Sequence, residues 1–525
     1  MRRWLSILVS VAALGAAMAA PALANASSAG ASPTRGVAPG WLPLYPQAFA
    51  RAKAAADRWA AARVSQGRGS TTTPLTAVGP AWQGEYDSGV TPGDPTGAIG
   101  PNSYIEMVNL NYGVYNRSGA LRFDGSLATL TNDYYISDPQ VFWDPYSQRF
   151  FFSLVDYIAD TIHWGFTVNS DPQSSQDFCT YTADFGYGSD LPDYPRLGDT
   201  QSYLLIGANI FANFSIYLGS DLDWISKPPP GQLTACPSPT SFSLGRISAL
   251  HNADGSLAST PLPPRQVDPS TTGWVLGSAD VSNGCKSFIS VFQASELQTG
   301  GVQLSAAAAA PVPSYCMPAS APQAGNSRKL DTLDGRLEQA VAGVDPSLPV
   351  PAVTVWTAHA VLGGAGSEER WYEINPASGR VVQSGKASDS SLFVFNGAIS
   401  PDRAVTPISS AFGSDMVMGF NTSSSTTDSA IQMISQLGPT QAGNFSSALA
   451  SSFTSLFRSP GFDADKSCKK AGSVCRWGDY SGASPDPSAP LGGTEGEVWL
   501  SNQWNVASQS NYSPDWRTLN WAAVP

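Results

Sequence analysis

The chain has 525 residues, a formal net charge of −12 and only 13% charged residues, with 49 glycines and 41 prolines. That length holds a large core, and the Gly/Pro-rich, aromatic composition suits many short strands joined by tight turns. The acidic balance argues against nucleic acid or an anionic membrane surface as partner.

The N-terminus, "MRRWLSILVSVAALGAAMAAPALANASS", pairs Arg2 and Arg3 with an apolar run and a small-residue site at Ala22–Ala24. That is the pattern of a secretory signal peptide over residues 1–24. The run is too short to span a bilayer, and no other long apolar stretch follows. The expectation is an extracellular protein without a membrane span. Residues 25–74 read as a leader. Within it, "PQAFARAKAAADRWAAARV" (46–64) predicts a helix with Pro46 near its start and Phe49, Ala52, Ala56, Trp59 and Ala60 on one face. "SQGRGSTTTP" then reads as a linker. The six cysteines, Cys179, Cys236, Cys285, Cys316, Cys468 and Cys475, contain no C-x-x-C pair. They point to disulfides rather than zinc, with sequential pairing the simplest connectivity.

From residue 75 onward a unit recurs. An apolar strand ends on a polar residue at Asn109, Asp156, Asn209, Asp280, His359, Asn421 and Asn502. Before each strand lies a Pro/Gly/Asp turn, at Gly100, Asp144, Gly198, Asp268, Asp345, Ser400 and Ser484. Upstream of most turns is a polar corner: Asp94, Asp138, Asp193 with Arg196, Asp334 with Arg336, Asn396, and Trp477 with Asp479 and Tyr480. The fourth unit, "PLPPRQVDP", lacks an acid there. A third strand often follows, so each unit is an antiparallel sheet of roughly 40–60 residues, the size of a propeller blade. The fold class is therefore all-β, a seven-bladed β-propeller over 75–525 with a short N-terminal helix. The last unit ends at its third strand, and residues near 75–90 are expected to supply its outer strand and close the ring.

In a blade the start of the first strand and the end of the second lie on one face. The polar corners and strand ends should therefore surround one channel mouth, the default place for a site. Asp138, Asp193, Asp479 and His359 are the catalytic candidates. Asp94, Asp156, Arg196, Asp280, Arg336, Trp477 and Tyr480 are the binding candidates. Two carboxyl groups about 5–10 Å apart would suit glycoside hydrolysis, guanidinium groups would clamp a carboxylate, and aromatic rings would stack on a sugar. Each also has a plain structural role: Asp and Asn close Asx-turns, and a lone histidine is most often a neutral, hydrogen-bonded one. No G-x-S-x-G or H-E-x-x-H motif is present. No cofactor is indicated, although a ring of aspartates would accept Ca²⁺.

The segments "GDPTGAIGPNSYIEMVN", "SDPQVFWDPYSQRFFF", "DYPRLG", "WYEINPASG" and "RWGDYSGASPDP" resemble motifs of a widespread group of secreted bacterial proteins. The resemblance implies a β-propeller and export, and carries over no catalytic residue. The S-x-D-x-G-x-x-W repeat of sialidases is missing. Three functions follow from the sequence: an extracellular glycan- or protein-binding protein using the mouth, a carboxylate-dependent glycoside hydrolase at the same place, or a structural cell-surface protein. Binding is favoured, by a monomer.

Overall fold

The computed structural model describes residues 42–63, 78–437, 445–448 (backbone only), 452–469, 474–488, 493–506 and 512–525. The expected signal peptide, the start of the leader and the linker after the helix lie outside the described residues. Among the described residues, seven sheets built of antiparallel strands follow one another along the chain, as expected for seven blades, with a parallel strand added at each edge of the fifth and two small two-stranded sheets besides. Their innermost strands are Thr96–Ile99, Ile136–Asp144, Asp190–Asp199, Ser259–Leu262, Gln339–Asp345, Phe393–Pro401 and Gly482–Pro485. The second strands are Ser103–Val108, Arg149–Asp156, Tyr203–Ala212, Thr272–Ser278, Ala352–Val361, Met416–Ser424 and Val498–Asn505. These second strands are the recurring apolar runs of the sequence.

The runs are continuously apolar because both faces of each blade are covered by neighbours. In "RFFFSLVD", Phe150, Phe152 and Leu154 enter the cluster shared with blade 1. The alternate residues Phe151 and Val155 enter the cluster shared with blade 3. Blade 3 repeats the device. Tyr203 and Leu205 face blade 4, while Leu204, Ile206 and Ala208 face blade 2. Where blade 3 meets the proline-rich inner strand of blade 4, backbones touch. A Cβ on Gly207 would lie 2.0 Å from the Pro261 carbonyl oxygen, so only glycine fits.

Val78–Gln83 pairs antiparallel with Trp516–Ala523 and completes blade 7, so the chain's first strand closes the ring on its last. Trp82 secures the closure, packing at 5.4 Å from Tyr104, 5.4 Å from Tyr115 and 5.8 Å from Trp499. The disulfides pair in sequence order, Cys179–Cys236, Cys285–Cys316 and Cys468–Cys475. The N-terminal helix spans Pro46–Ala61, with Pro46 in its first turn, and buries Ala48, Lys53, Ala56 and Ala60. Among the described residues no helix is long and apolar enough to cross a membrane.

Truncating Trp82 removes a partly buried indole from the junction between blades 7 and 1. Trp82→Ala is expected to lower the unfolding free energy by about 3 kcal/mol, read by chemical denaturation. An unchanged midpoint would show that the first strand does not close the ring.

Candidate functional site

The corners at the channel are built by backbone as much as by side chain. Asp94, Asp138, Tyr194, Thr260 and Asn396 each take a left-handed conformation, with φ of 51°, 58°, 57°, 48° and 58°. In blades 2, 3, 4 and 6 the inner-strand pairing shifts register at that residue. A non-glycine residue held there is strained and persists only if its surroundings fix it. Strand-end asparagines supply the fixing. Asn109 Oδ1 accepts the Asp138 amide at 3.0 Å, and Asn209 Oδ1 accepts the Thr260 amide at 2.7 Å. Asn502 donates to the Asn396 carbonyl at 3.0 Å and accepts its side-chain amide at 3.0 Å. In each case one blade's asparagine holds a neighbouring blade's corner, the next blade's for Asn109 and Asn209 and the preceding blade's for Asn502.

This geometry revises the alignment of the units. The residue at the corner of blade 3 is Tyr194, not Asp193, and blade 4 uses Thr260 where an acid was missed. Asp479 is not at such a corner, since no described residue of "RWGDYSG" has a positive φ. Asp193 pairs with Asn209 and Phe395 with Asn421, whereas Ser137 pairs with Val155 and Ser259 with Ser278. Asp156 and Asp280 therefore lie one and two residues beyond the asparagine positions. They close Asx-turns instead, Asp156 accepting the Ile158 and Ala159 amides at 2.8 and 2.9 Å and Asp280 the Ser282 amide at 3.0 Å. His359 is fully buried. Its Nδ1 bonds to the Gly335 carbonyl at 2.9 Å and its Nε2 to the Tyr372 hydroxyl at 3.1 Å. Burial pushes its pKa down to about 3, so it is a neutral structural imidazole.

The remaining candidates do come together, as a plug. Tyr194 and Tyr480 stack at 4.8 Å, with the Arg196 guanidinium 4.3 Å from both ring centres and Arg336 4.3 Å from Tyr194. Arg336 is held in place by a fork to Asp334, at 2.7 and 2.9 Å. Beside the stack, Asp94 accepts the Asp479 amide at 2.6 Å and Asn109 Nδ2 at 2.6 Å. Asp138 accepts the Tyr480 hydroxyl at 2.9 Å and Ser137 Oγ at 2.9 Å. Asp479 pairs with Arg476. Trp477 points into a blade core, its ring 6.2 Å from Phe395 and its Nε1 donating to Asn421 at 2.8 Å.

The N-terminal segment lies over this plug. The Leu42 amide donates to Asp193 at 2.8 Å, and Lys53 donates to Thr332 Oγ1 at 2.8 Å and to the Leu333 carbonyl at 2.5 Å. Phe49 packs against Tyr194, Leu333 and Tyr480. Asp94, Asp138, Asp193 and Asp479 are consequently 1–3% exposed. Burial, with repulsion from Asp479, raises the Asp138 pKa to about 6. Burial also lifts Asp94 and Asp193 well above the usual carboxylate range. Sequence reasoning missed a second buried acid pair, Glu338 and Glu369. Glu338 accepts the Ala360 amide at 3.1 Å and the Gly397 amide. Burial raises the Glu338 pKa to about 7, and burial with repulsion from Glu338 lifts Glu369 well above the usual carboxylate range.

An open concavity lies elsewhere, between the outer strands of blades 1 and 2. It is a groove of about 490 Å³. Tyr112, Phe123 and Phe178 form its floor, with ring centres 5.5–6.3 Å apart. The exposed side chains of Asp124, Thr129, Gln173, Ser174 and Ser175 form its rim. The rings come from different blades, so no single stretch of sequence shows them as a set.

No protein-family model matches the sequence, and no curated protein matches it. Solved structures do match in part. A neuraminidase-like protein of subtype N11 from a flat-faced bat influenza virus (Peru) is 9% identical. The match covers 53% of this chain and 70% of that one, with a TM-score of 0.30. An exo-beta-1,3-galactanase from Clostridium thermocellum is 12% identical over 67% of this chain and 80% of that one, with a TM-score of 0.30. An alpha-L-arabinanase from Cellvibrio cellulosa is 9% identical over 54% and 91%, with a TM-score of 0.27.

The sealed acids give a pH signature. Asp138 has a folded pKa of about 6 against about 3.9 unfolded, so the folded state holds the proton more tightly. Its favourable contribution is complete below about pH 4 and is lost as pH rises through about 6. Asp138→Asn is therefore expected to stabilise the protein at pH 7.5 relative to the parent, by up to about 3 kcal/mol, and to leave it unchanged at pH 4. Parallel pH profiles of unfolding temperature for the two proteins would contradict the raised pKa of Asp138.

Proposed function

We propose that this protein is an exported β-propeller that binds carbohydrate in the groove between blades 1 and 2. The observation that carries the reading is the pairing of a three-ring floor, Tyr112, Phe123 and Phe178, with an exposed rim of carboxylate, amide and hydroxyl groups. A sugar ring has apolar C–H faces that pack on aromatic side chains and equatorial hydroxyls that need hydrogen-bond partners at its edge. The net charge of −12 favours neutral glycans over polyanionic ones. The three disulfides fit an oxidising, extracellular setting. Calcium has no role in this reading.

A second reading, a carboxylate-dependent glycoside hydrolase at the channel, rests on the raised pKa of Asp138, about 6, next to the Asp479–Arg476 pair. It requires the helix Pro46–Ala61 to leave, because the Leu42 amide and Phe49 cover the acids.

One panel separates the readings. Neutral oligosaccharides are screened for binding by calorimetry and for hydrolysis by product analysis, with the parent, Phe123→Ala, Gln173→Ala and Asp138→Asn. The groove reading expects at least a tenfold affinity loss in the first two variants, unchanged binding in Asp138→Asn, and no hydrolysis. Hydrolysis abolished by Asp138→Asn would instead favour the channel. No binding by the parent would leave the structural cell-surface role.

A further inference from the structure

We propose that Asp133, Asp156 and His163 form a binding site for a divalent transition-metal ion, with Zn²⁺ the best match. The site is separate from the groove and does not depend on the carbohydrate reading. Three neighbouring pieces of blade 2 supply it. Asp133 lies just before the inner strand Ile136–Asp144, Asp156 ends the second strand Arg149–Asp156, and His163 begins the third, Thr161–Thr167. The register sets Asp156 opposite both Ile136 and Thr161, and His163 opposite Leu154 and Thr182. Asp156, Thr161 and His163 therefore share one face at one end of the sheet.

One donor atom from each of the three residues lies within 4.8 Å of the other two. His163 Nε2 is 3.1 Å from Asp133 Oδ2. Around a tetrahedral zinc with bonds of about 2.0–2.1 Å, donor atoms sit about 3.4 Å apart, so little rearrangement is needed. The donors are also held in position from behind. Asp133 Oδ1 accepts the Tyr135 amide at 2.8 Å, and Asp156 Oδ1 accepts two amides at 2.8 and 2.9 Å. Each carboxylate thus keeps its Oδ2 for the cluster. His163 Nδ1 lies 3.3 Å from Thr182 Oγ1, a hydroxyl able to accept the Nδ1 proton once Nε2 turns its lone pair to a metal, the arrangement typical of metal-bound imidazole.

A separate observation supports a cation here. Thr161 Oγ1, on the same face beside Asp156, is buried without a hydrogen-bond partner. So is Oδ1 of Asp160, a residue only 8% exposed and electrostatically coupled to Asp156. Buried oxygens without donors are costly unless a cation or proton answers them. One imidazole with two carboxylates suits zinc, whereas calcium takes an all-oxygen shell. Three protein donors leave a fourth coordination position for water or a ligand.

The test uses the full chain stripped with a chelator and titrated with zinc chloride by calorimetry. Cobalt(II) absorption serves as a second readout of nitrogen–oxygen coordination. One saturable site is expected. His163→Gln and Asp156→Asn should each weaken it at least tenfold and remove the cobalt bands, while His251→Gln, at the exposed histidine of blade 3, should leave both unchanged. If either site variant fails to fold, Thr182→Val, which removes only the Nδ1 partner, should still weaken zinc binding. Zinc affinity that is undetectable, or equal in parent and site variants, would overturn the site. Preference for calcium over zinc would overturn the choice of metal.

Discussion

The corners of the ring depend on one kind of contact, a strand-end asparagine bonded to the backbone of a neighbouring blade's left-handed residue, present at three blade boundaries. Seven sheets packed by apolar faces alone could slide past one another, because dispersion and burial have little direction. The carboxamides of Asn109 and Asn209 reach Asp138 and Thr260 across blade boundaries, and Asn502 reaches back to Asn396. Each bond satisfies a buried polar group that water cannot reach, so leaving it unmade is more costly than making it is favourable. The left-handed corners are then fixed features, and they set the angle at which each inner strand enters the channel.

The central polar residues follow from that constraint. Once the corners turn inward, side chains must fill the channel. Tyr194, Tyr480 and Arg196 do so as a stack whose polar atoms bond to backbone, the Tyr194 hydroxyl donating to the Asp479 carbonyl at 2.7 Å. The acids beside them are enclosed by the N-terminal helix and lose access to water. A concentration of Asp, Arg and Tyr that resembles an active site in sequence is thus, with the helix seated, a packed interior. A ligand-sized space lies instead between blades 1 and 2, where the partly exposed Phe123 sits over the buried rings of Tyr112 and Phe178.

Much of the fold was legible from residues alone, for a physical reason. Second strands are buried on both faces, so "FFFSLVD" and "YLLIGAN" carry a continuous apolar signal that turns and insertions do not hide. Closure by the first strand was legible because the last unit lacked an outer strand. The corners were less so. Aligning them by aspartate followed side-chain chemistry, while the backbone follows pairing register, which selects Tyr194 over Asp193 and accepts Thr260. Asp156 and Asp280 kept their turn-closing role but lay outside the ring. The groove and the Asp133–Asp156–His163 cluster could not be read at all, because their members meet only after the sheets have formed.

Amide hydrogen exchange, with and without a neutral oligosaccharide that binds the protein, tests this account most directly. A sealed channel and an outer groove predict ligand-induced protection at residues 121–130 and 173–178, with the already slow amides of Asp138, Thr260 and Asp479 unchanged. Protection appearing at residues 193–196 and 477–481 instead, with faster exchange in the helix Pro46–Ala61, would contradict it.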